Sequence, residues 1–505
     1  MDSLLIYGPP ASGKSTLSKA LAQRLGLPWV DLDERIVRAA GQPIPEIFAA
    51  EGEVGFRKRE VEMLEQVASE GCAVVSLGGG ALLDSKARKV AEAAGKVICL
   101  KVSPARLAAR AGRAPGSRPL LEHGRLDRLL EERAAHYASF PNGVEVESDD
   151  LETNLRLLQA VAGRYRISGM GSPYEVRVES GGLERLGAYA ANLGLKGPSA
   201  VVCDENTRPY ADQACASLST AGIRAGVVEI PSGEAHKTIA TVGAIWRGFL
   251  QSAVERAGTV YAVGGGVVGD LTGFAAATWL RGVRWVNIPT TLLAMVDSSL
   301  GGKTGADLPD GKNLIGAFHP PALVLSDPSV LRTLPERELR CGLAESLKHA
   351  VIDDPGLFGR LSTALPDASL IARSLSVKAR IICEDPYEKG RRAALNLGHT
   401  IGHAVEKASN FSIAHGEAVA IGLIAAARLA IKARIARPDL LDKLVAKTRE
   451  LGLPTEIPAH LDRDEMRQAL SHDKKRKDGI VRFVLPADLG DVRLDCRVDD
   501  PFDFD

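Results

Sequence analysis

The chain contains 505 residues, which fits two or three domains rather than one. Hydrophobic residues make up 45% and charged residues 25% of it, proportions that globular proteins in water usually have. Because Lys plus Arg and Asp plus Glu both number 63, no net charge favours nucleic acid or an anionic membrane, and we expect neither as a partner.

The seven cysteines are scattered and form no CxxC pair. This pattern argues against a disulfide framework or a thiolate zinc site and favours a reducing compartment. The first apolar run is short and leads straight into a glycine-rich loop, unlike a signal peptide. The apolar run at 418–433 is too short to span a bilayer and contains Arg428 and Lys432. We therefore expect a cytoplasmic protein.

Residues 1–165 alternate short apolar runs with helical patterns. Strands are predicted at 4–7, 29–30, 73–77 and 97–100, and helices at 15–25 and 151–165. Strands separated by helices predict an α/β domain, with a parallel sheet covered on both faces. The stretch 166–173, rich in Gly, Ser and Pro, is predicted to be the linker that follows this domain.

Residues 8–15 have the sequence GPPASGKS, directly after the first strand and at the start of a helix. This is the G-x-x-x-x-G-K-S pattern of a P-loop, whose glycines let the backbone wrap phosphate oxygens at a helix N-terminus. Lys14 is expected to reach the outer phosphates and Ser15 to ligate Mg²⁺. The motif predicts a site for ATP or GTP and leaves the phosphate acceptor open.

Several polar residues further along the domain are candidates for an acceptor site. Asp31 and Asp33 lie two residues apart at the end of a strand and so share one side. Taken singly, each such residue is more often a solvated surface group. The other candidates are Arg57, the glycine triplet 78–80, Arg133 and a segment around 117–121 suited to a mobile lid.

Together these residues resemble shikimate kinase across residues 1–165. The resemblance implies ATP- and Mg²⁺-dependent phosphorylation of shikimate, with Asp33 as the base and Lys14 and Arg118 stabilising the transferring phosphoryl group. It assigns ATP to Gly8, Ser12, Gly13, Lys14, Ser15, Thr16, Arg110 and Arg118, Mg²⁺ to Ser15 and Asp31, and shikimate to Asp33, Arg57, Gly79, Gly80 and Arg133.

The alternative for this domain is another small-molecule kinase of the nucleoside-monophosphate-kinase type, such as a gluconate kinase. The combination of Asp33, Arg57, the glycine triplet and Arg133 argues against it.

The α/β pattern resumes after the linker. Strands are predicted at 174–178, 199–203, 225–230, 259–263 and 284–288. After about residue 335 long helical patterns dominate, with one strand-like run at 482–486. We therefore predict an α/β domain over 174–335 and a mostly helical domain over 336–505.

Residues 264–269 have the sequence GGGVVG, after a predicted strand and before a helix predicted at 270–280. In that context G-x-G-x-x-G indicates pyrophosphate binding. The usual acidic ribose ligand about 20 residues later is missing. Asp204, at the end of an earlier strand, is a candidate instead. This order argues against an ordinary hydride-transfer dehydrogenase.

A Glu/His cluster follows in the helical part. Glu345 and Lys348 are one helical turn apart, and His399 and His403 are likewise, so each pair shares a face. His415 follows shortly after. One glutamate, two imidazoles and an open position form a common catalytic zinc site. Spacing alone does not choose between His399 and His403.

Residues 174–500 resemble 3-dehydroquinate synthase over several long motifs. The resemblance implies that Glu345, His399 and His415 bind zinc or cobalt and that His403 serves a proton relay on the substrate side. It assigns NAD to Asp204, Asn206, Glu234, Lys237, Gly265, Gly266, Asp270, Thr290, Thr291, Lys303, Lys312 and Thr333. The residues that it assigns to the substrate are Arg281 from a neighbouring subunit and Asp297, Lys303, Asn313, Lys348, Lys378, Arg392, Asn396, His403 and Lys474. Five of these are also implied to be catalytic: Asp297, Lys303, Lys348, Arg392 and His403.

The implied reaction cyclises 3-deoxy-D-arabino-heptulosonate 7-phosphate to 3-dehydroquinate. NAD⁺ oxidises one hydroxyl, phosphate leaves, the hydride returns and the ring closes by an aldol step. The two resemblances together imply a bifunctional shikimate-pathway enzyme that forms a homodimer through its synthase part. Asp307 departs from the family, which usually has Asn at that position.

Two alternatives stay open for the chain. The C-terminal part could be another sugar-phosphate cyclase that makes valiolone-type or deoxy-inosose products. One half could instead be an inactive regulatory module. The intact sets of substrate and metal residues argue against both.

Overall fold

The computed structural model describes residues 2–112, 125–309, 311–471, 476–477, 480–498 and 500–502. The chain divides into two compact units, Met1–Arg166 and Ile167–Asp505. None of the helices in the described ranges has the length and hydrophobicity of a membrane span.

The first unit is built on a parallel sheet of five strands in the order β2-β3-β1-β4-β5. These are β1 (Ser3–Tyr7), β2 (Trp29–Asp31), β3 (Val74–Ser76), β4 (Gly95–Lys101) and β5 (Gly143–Glu145). The helices are α1 (Lys14–Leu25), α2 (Leu32–Ala40), α3 (Ile44–Ser69), α4 (Ser85–Ala94), α5 (Pro104–Gly112), α6 (Arg125–Ala138) and α7 (Leu151–Ala162). Strand β6 (Arg164–Ile167) lies at the boundary between the units.

Strand β1 shows why this sheet is covered on both faces. Leu4 and Ile6 pack into one hydrophobic cluster, whereas Leu5 and Tyr7 pack into another, as the period of two in a strand requires. Ile6 of β1 and Asp31 of β2 are both paired with Ser76 of β3. The carboxyl ends of these three strands therefore meet at one edge of the sheet, where ligands of α/β folds bind.

The second unit contains a parallel sheet whose strands lie in the order β7-β14-β11-β10-β8-β9. The strands before the hairpin are β7 (Tyr174–Val178), β8 (Lys196–Asp204), β9 (Ala225–Ile230), β10 (Gly258–Gly264) and β11 (Arg284–Pro289). An antiparallel hairpin, β12 (Lys303–Leu308) and β13 (Gly311–Phe318), precedes β14 (Leu323–Ser326). The helices are α8 (Leu186–Asn192), α9 (Arg208–Thr220), α10 (Ile239–Gln251) and α11 (Gly266–Thr278).

Helices dominate the rest of this unit: α12 (Glu336–Asp353), α13 (Pro355–Phe358), α14 (Ala368–Glu384), α15 (His399–Ala408), α16 (His415–Lys432), α17 (Pro438–Glu450) and α18 (Arg463–Ser471). Three short strands follow, β15 (Arg476–Lys477), β16 (Ile480–Asp488) and β17 (Asp491–Arg497). The predicted fold class, two α/β sheets followed by a mostly helical region, is confirmed. The β12–β13 hairpin was not predicted, and α11 begins at Gly266 rather than at residue 270.

Glycines let the helices around the Glu/His cluster approach each other closely. A methyl group on Gly422 of α16 would overlap the carbonyl oxygen of Gly398, the residue before α15. A methyl group on Gly416 would overlap the backbone of Cys341 in α12. The backbones of α12, α15 and α16 are thus in contact, and this contact places the start of α15 against α16.

We expect Gly422→Ala to destabilise the second unit by about 2 kcal/mol or more, because overpacking at a backbone contact forces the helices apart. The displaced α15 should also weaken the cluster that contains His399. Gly243→Ala in α10 is the control, since a methyl group there would contact nothing within 4 Å. Denaturant unfolding measures both variants. Equal stability of the two would contradict this account.

Two candidate active sites

The P-loop lies at the carboxyl end of β1 and leads into α1. Gly13, just before the helix, has a φ of 90°, a left-handed conformation that favours glycine. Lys14 Nζ donates hydrogen bonds to the carbonyls of Gly8 (3.0 Å) and Pro9 (2.8 Å), so the lysine lies across its own loop. Ser12 is fully buried, and its hydroxyl has no hydrogen-bond partner among the described residues. The loop thus offers amides, a hydroxyl and an ammonium group to phosphates.

The other predicted nucleotide residues lie beside this loop. Thr16 is exposed on the first turn of α1. Arg110 Nη1 lies 3.4 Å from the carbonyl of Ser12, and its Nη2 lies 3.3 Å from that of Ser148. Arg118, predicted to act from a lid, lies outside the described residues.

The predicted Mg²⁺ ligands meet at the edge of the sheet. Ser15 Oγ donates to Asp31 Oδ2 at 2.8 Å and lies 3.2 Å from Ser76 Oγ. Asp31 Oδ1 meanwhile accepts hydrogen bonds from the amides of Asp33 and Glu34, which caps α2 and fixes the carboxylate. Hard cations such as Mg²⁺ bind preferentially to oxygen ligands of this kind. Ser76 is a further hydroxyl at this edge, and no motif in the sequence indicates its role.

The predicted acceptor residues surround the glycine triplet 78–80. A methyl group on Gly78 would lie 2.9 Å from Asp33 Oδ1, and one on Gly80 would lie 2.8 Å from Arg57 Nη1. The carbonyl of Gly79 accepts hydrogen bonds from the hydroxyls of Tyr137 (2.8 Å) and Tyr7 (3.2 Å) and from Arg133 Nη1 (3.5 Å).

Glu60 is a buried part of this site that sequence analysis missed. Its Oε2 accepts a hydrogen bond from Arg57 Nη1 at 2.5 Å, and its side chain is 2% exposed. Burial raises the pKa of Glu60 to about 7; Arg57 opposes the shift and the negative charge of Asp33 adds to it. Only its position one turn after Arg57 could have pointed to it.

In the second unit, the glycine-rich loop lies at the carboxyl end of β10. Gly264 of β10 is paired with Pro289 of β11, so the residues that follow both strands lie together. A methyl group on Gly265 would lie 3.1 Å from Thr291 Cγ2, and one on Gly266 would lie 3.2 Å from Ser298 Oγ. The loop therefore has open backbone beside the predicted threonines, and the next residues begin α11.

Other predicted NAD residues form pairs around this loop. Asp204 Oδ1 accepts hydrogen bonds from the amide and hydroxyl of Thr207, both at 2.9 Å. Thr333 Oγ1 lies 2.7 Å from the hydroxyl of Tyr210, and Asn206 is exposed. Ion pairs join Glu234 to Lys312 at 3.4 Å and Lys237 to Asp270 at 2.7 Å.

Asp307 has a defined role in the β12–β13 hairpin. Its Oδ1 accepts a hydrogen bond from the amide of Asn313 at 2.6 Å, and Asn313 has a φ of 53°. Its own amide donates to the carbonyl of Lys237 at 2.7 Å. Lys237 Nζ in turn donates to Asn313 Oδ1 at 2.7 Å. An Asn at 307 would offer the same acceptor oxygen, which explains why Asp is tolerated.

Glu345, His399 and His415 converge from α12, α15 and α16. Each has a potential ligand atom, and these atoms all lie within 4.8 Å of one another. The Nε2 atoms of both histidines lie 3.6 Å from Glu345 Oε1. His399 Nδ1 lies 3.2 Å from the carbonyl of Leu397, and His415 Nδ1 lies 3.3 Å from Glu406 Oε1. Because these oxygens only accept, each Nδ1 carries a proton and each Nε2 faces Glu345.

These three residues fit a zinc or cobalt ion. Glu345 is completely buried, and besides its ion pair with Lys348 its oxygens form no hydrogen bond with the described residues. Burial lowers the pKa of His399 well below its ordinary value. Burial acts in the same direction on His415, but the neighbouring carboxylates of Glu345 and Glu406 raise its pKa to about 10. A metal ion would therefore replace the Nε2 proton of His415.

His403 is exposed one turn after His399, and the two ring centroids lie 5.3 Å apart. It belongs to a second group of potential ligands, with Glu406 and His415. Glu345 is not in that group. The structure thus separates the two histidines that spacing alone left equivalent: His399 faces the buried glutamate and His403 lies at the surface.

Asp297 lies next to two of the lysines that were predicted to bind the substrate, Lys348 and Lys378. It lies in a π-helical turn, Ala294–Ser298, of a kind that often marks functional sites. Lys378 Nζ donates to Asp297 Oδ1 at 2.8 Å, and Lys348 Nζ lies 4.0 Å away. Burial opposes ionisation, but the two ammonium groups hold the pKa of Asp297 below its ordinary range.

Glu388 binds the predicted anion-binding residues in this structure. Its Oε2 accepts a hydrogen bond from Lys303 Nζ at 2.6 Å, and its Oε1 accepts one from Asn396 Nδ2 at 3.2 Å. Arg392 is buried nearby and donates to the carbonyl of Pro386. Glu388 belongs to no motif that would predict this contact from the sequence. Lys474 lies outside the described residues, and Arg281 is exposed.

Comparison with known proteins identifies the second unit. Residues 227–341 and 342–476 match the family models of the 3-dehydroquinate synthase N-terminal and C-terminal domains. The 3-dehydroquinate synthase of a Synechococcus strain is 46% identical over 340 residues, which cover 64% of this chain and 92% of that protein. The chain belongs to the 3-dehydroquinate synthase family.

Two solved structures have the same fold as the synthase unit. A 2-deoxy-scyllo-inosose synthase complexed with carbaglucose-6-phosphate, NAD⁺ and Co²⁺ has a TM-score of 0.60 at 26% identity, covering 66% of this chain and 94% of that one. The 2-epi-5-epi-valiolone synthase of Streptomyces hygroscopicus, with NAD⁺ and Zn²⁺ bound, has a TM-score of 0.59 at 31% identity, covering 66% and 96%. Identity to these cyclases is well below the 46% found for 3-dehydroquinate synthase.

The first unit matches a second family. Residues 10–161 match the family model of shikimate kinase. Both resemblances seen in the sequence are therefore confirmed, and the chain is a bifunctional shikimate-pathway enzyme, a shikimate kinase fused to a 3-dehydroquinate synthase. The comparisons give no support to the alternatives, another kinase, another cyclase or an inactive half.

We expect Glu60→Gln to remove a pH dependence of kinase-unit stability. A carboxyl whose folded pKa is raised from 4.5 to about 7 stabilises the fold below pH 4.5 and loses that contribution as the pH rises through 7. The loss is about 3 kcal/mol at most. Hydrogen exchange of β1 amides in the whole chain, from pH 4.5 to 7.5, measures it. The exposed Glu62→Gln is the control, and an unchanged slope in Glu60→Gln would contradict the assignment.

Glu406 should strengthen metal binding through His415. Glu406→Ala removes the oxygen that holds His415 Nδ1, so zinc affinity should fall about 10- to 100-fold. Glu406→Gln keeps an acceptor and should lose less. Competition with a chelator measures both affinities, with the exposed Glu450→Gln as control. Wild-type affinity in Glu406→Ala would show that this contact does not orient the imidazole.

Proposed function

We propose that the kinase unit transfers the γ-phosphoryl group of ATP to a shikimate hydroxyl with the residues described above. The P-loop amides and Lys14 bind the phosphates. Ser15 and Asp31 would hold Mg²⁺, which neutralises phosphate charge. Asp33 accepts the proton of the attacking hydroxyl. Arg57 and Arg133 bind the shikimate carboxylate, for which the planar guanidinium is suited.

The fixed acceptor residues support this assignment. Glu60 and Glu53 hold the two Nη atoms of Arg57, at 2.5 Å and 3.0 Å. Arg57 is therefore oriented before any ligand binds, and less side-chain entropy is lost when it binds a carboxylate. The glycine triplet beside it has no side chains to occupy the space of a small ring.

For the synthase unit we propose the cyclisation of 3-deoxy-D-arabino-heptulosonate 7-phosphate to 3-dehydroquinate with loss of phosphate. Glu345, His399 and His415 would hold zinc or cobalt, which makes a bound hydroxyl more acidic. The glycine-rich loop with Thr290 and Thr291 would hold NAD, a reversible hydride acceptor. The observation that carries the proposal is the convergence of Glu345 and the two imidazoles beside the buried lysines.

The other polar side chains of the unit take the substrate. Asp297, with Lys348 and Lys378 beside it, binds substrate hydroxyls. Lys303, Arg392 and Asn396 bind the carboxylate and phosphate groups. Lys303 and Asn396 already bind one carboxylate, that of Glu388, and this contact supports their assignment to an anionic group of the substrate. His403, at the exposed side of the cluster, moves protons between substrate and solvent.

Metal removal should abolish only the cyclisation activity, and a P-loop substitution should lower only the kinase activity. A zinc-selective chelator in excess Mg²⁺ should abolish phosphate release from 3-deoxy-D-arabino-heptulosonate 7-phosphate and leave shikimate phosphorylation intact. Lys14→Ala should lower kinase kcat about 10²- to 10³-fold by removing a transition-state contact and leave cyclisation unchanged. Both activities are measured on the same protein preparation.

The control for Lys14→Ala is Lys19→Ala, an exposed lysine on the same helix. A cyclisation activity that survives complete zinc and cobalt removal would refute the metal assignment. A different ring product would indicate another sugar-phosphate cyclase.

We further propose a homodimer formed through the synthase unit, with Arg281 reaching the phosphate site of the partner. Leu280 and Arg281 form an exposed tip, and both have left-handed backbones, with φ of 50° and 71°. Such strain in two non-glycine residues is typical of functional contacts. It supports a role for the tip outside its own subunit.

Subunit mixing tests whether Arg281 acts on the partner. Arg281→Ala and Lys348→Ala should each be nearly inactive in cyclisation alone. Co-expression should restore about a quarter of wild-type activity, because half of the dimers are mixed and each has one intact site. Arg281→Ala co-expressed with itself is the control. An active monomer, or co-expressed variants that recover no cyclisation activity, would refute the proposal.

We also propose a cytoplasmic location. Cys99, Cys203 and Cys341 are buried thiols, as expected in a reducing compartment. Cell fractionation with antibody detection tests it.

A further inference from the structure

His349 lies on α12 one turn after Glu345, and none of the roles above uses it. Its side chain is completely buried. Its Nδ1 lies 3.1 Å from the hydroxyl oxygen of Ser374. Its Nε2 has no hydrogen-bond partner among the described residues and lies 3.9 Å from Asp297 Oδ1. A buried polar atom without a partner is costly, so its position toward the hydroxyl-binding carboxylate calls for a ligand.

Neighbouring hydroxyls determine which nitrogen of His349 carries the proton. Ser346 Oγ donates to the carbonyl of Gly342 at 3.1 Å, so its oxygen is left to accept. Ser374 Oγ donates to Ser346 Oγ at 3.1 Å. The Ser374 oxygen can then only accept from His349, which makes Nδ1 the protonated nitrogen. Nε2 therefore presents a lone pair to the site.

The surroundings of the ring also disfavour a second proton on it. Burial, with the ammonium of Lys348 adding to it, lowers the pKa of His349 to about 4, although the carboxylates of Asp297 and Glu345 oppose the shift. The nearby cations are already engaged. Lys378 donates to Asp297 at 2.8 Å, and Lys348 pairs with Glu345. Nε2 and Asp297 Oδ1 are therefore two acceptors that face each other.

Two acceptors do not bond to each other, but both can accept from one oxygen between them: a water molecule donates one hydrogen to each, and a hydroxyl shares its single hydrogen between the two. Their separation of 3.9 Å is less than twice the ordinary O–H···acceptor distance of about 2.8 Å. A single oxygen between them can thus be at hydrogen-bond distance from both. An ammonium group would suit this position less, because Lys348 and Lys378 already place two positive charges around it.

We propose that His349 Nε2 and Asp297 together bind one O–H group in the synthase site. The proposal rests on the proposed function of this site, which gives Asp297 the substrate hydroxyls. The O–H group belongs to the substrate or to a water molecule retained beside it. In the first case His349 contacts the substrate directly, and in the second it positions Asp297.

Two substitutions of His349 distinguish the donor function of Nδ1 from the acceptor function of Nε2. His349→Asn keeps a donor toward Ser374 and removes the acceptor at Nε2, so kcat/KM for phosphate release should fall about tenfold. His349→Gln places an amide oxygen near the Nε2 position and should stay within about threefold of wild type. Zinc content and NAD affinity should not change in either variant. Wild-type activity of His349→Asn, or equal loss of zinc from both variants, would overturn the proposal.

A crystal structure of the whole chain with zinc and NAD tests the geometry without any activity measurement, so it remains decisive if the wild type fails to cyclise the expected substrate. We expect an oxygen within about 3.2 Å of both His349 Nε2 and Asp297. After soaking with 3-deoxy-D-arabino-heptulosonate 7-phosphate, a substrate hydroxyl in its place identifies the substrate as the source, and an unchanged water identifies water. Nε2 bonded to zinc or to Lys348 Nζ would refute the proposal.

Discussion

Helix α12 places a negative and a positive side chain, Glu345 and Lys348, side by side in the interior of the synthase unit. The rest of the site depends on how these two charges compensate each other. Glu345 and Lys348 are at most 1% exposed and form an ion pair. Either charge alone would cost several kcal/mol in that position. A cation held by Glu345, His399 and His415 would compete with Lys348 for the same carboxylate. Asp297, 4.0 Å from Lys348, is then the next carboxylate within reach. Metal binding and the hydroxyl-binding side of the site are therefore coupled electrostatically.

Close backbone contacts make this arrangement possible. The cluster needs three helices whose axes approach more closely than ordinary side chains allow, and Gly416 and Gly422 provide that approach. In both units a glycine-rich loop at the end of a parallel strand leads into a helix N-terminus that presents free amides. The kinase site has its own compensated pair, in which buried Glu60 holds Arg57. Each site thus orients its charged groups before a ligand arrives.

Local sequence motifs predicted the backbone-determined parts of both sites. A P-loop or a G-x-G-x-x-G segment is a contiguous pattern that specifies strand, turn and helix together, and helical spacing paired Glu345 with Lys348. Spacing did not separate His399 from His403, because that depends on how α12 and α15 each pack against α16. The same limit applies to Ser76, Glu388 and His349, whose partners come from other elements, whereas Glu60 pairs with Arg57 one turn away on its own helix. The β12–β13 hairpin was missed because its short strands contain glycine, lysine and asparagine, which strands usually avoid.

The two sites are chemically independent within one chain. The ion pairs of the kinase site, Arg57 with Glu60 and Glu53, involve only residues of the first unit. Those of the synthase site, Glu345 with Lys348 and Asp297 with Lys378, involve only the second. Neither set needs the other for charge compensation. The product of the synthase is also not the substrate of the kinase, so direct transfer between the sites has no chemical basis. What the covalent link does impose is equal numbers of the two active sites at every expression level.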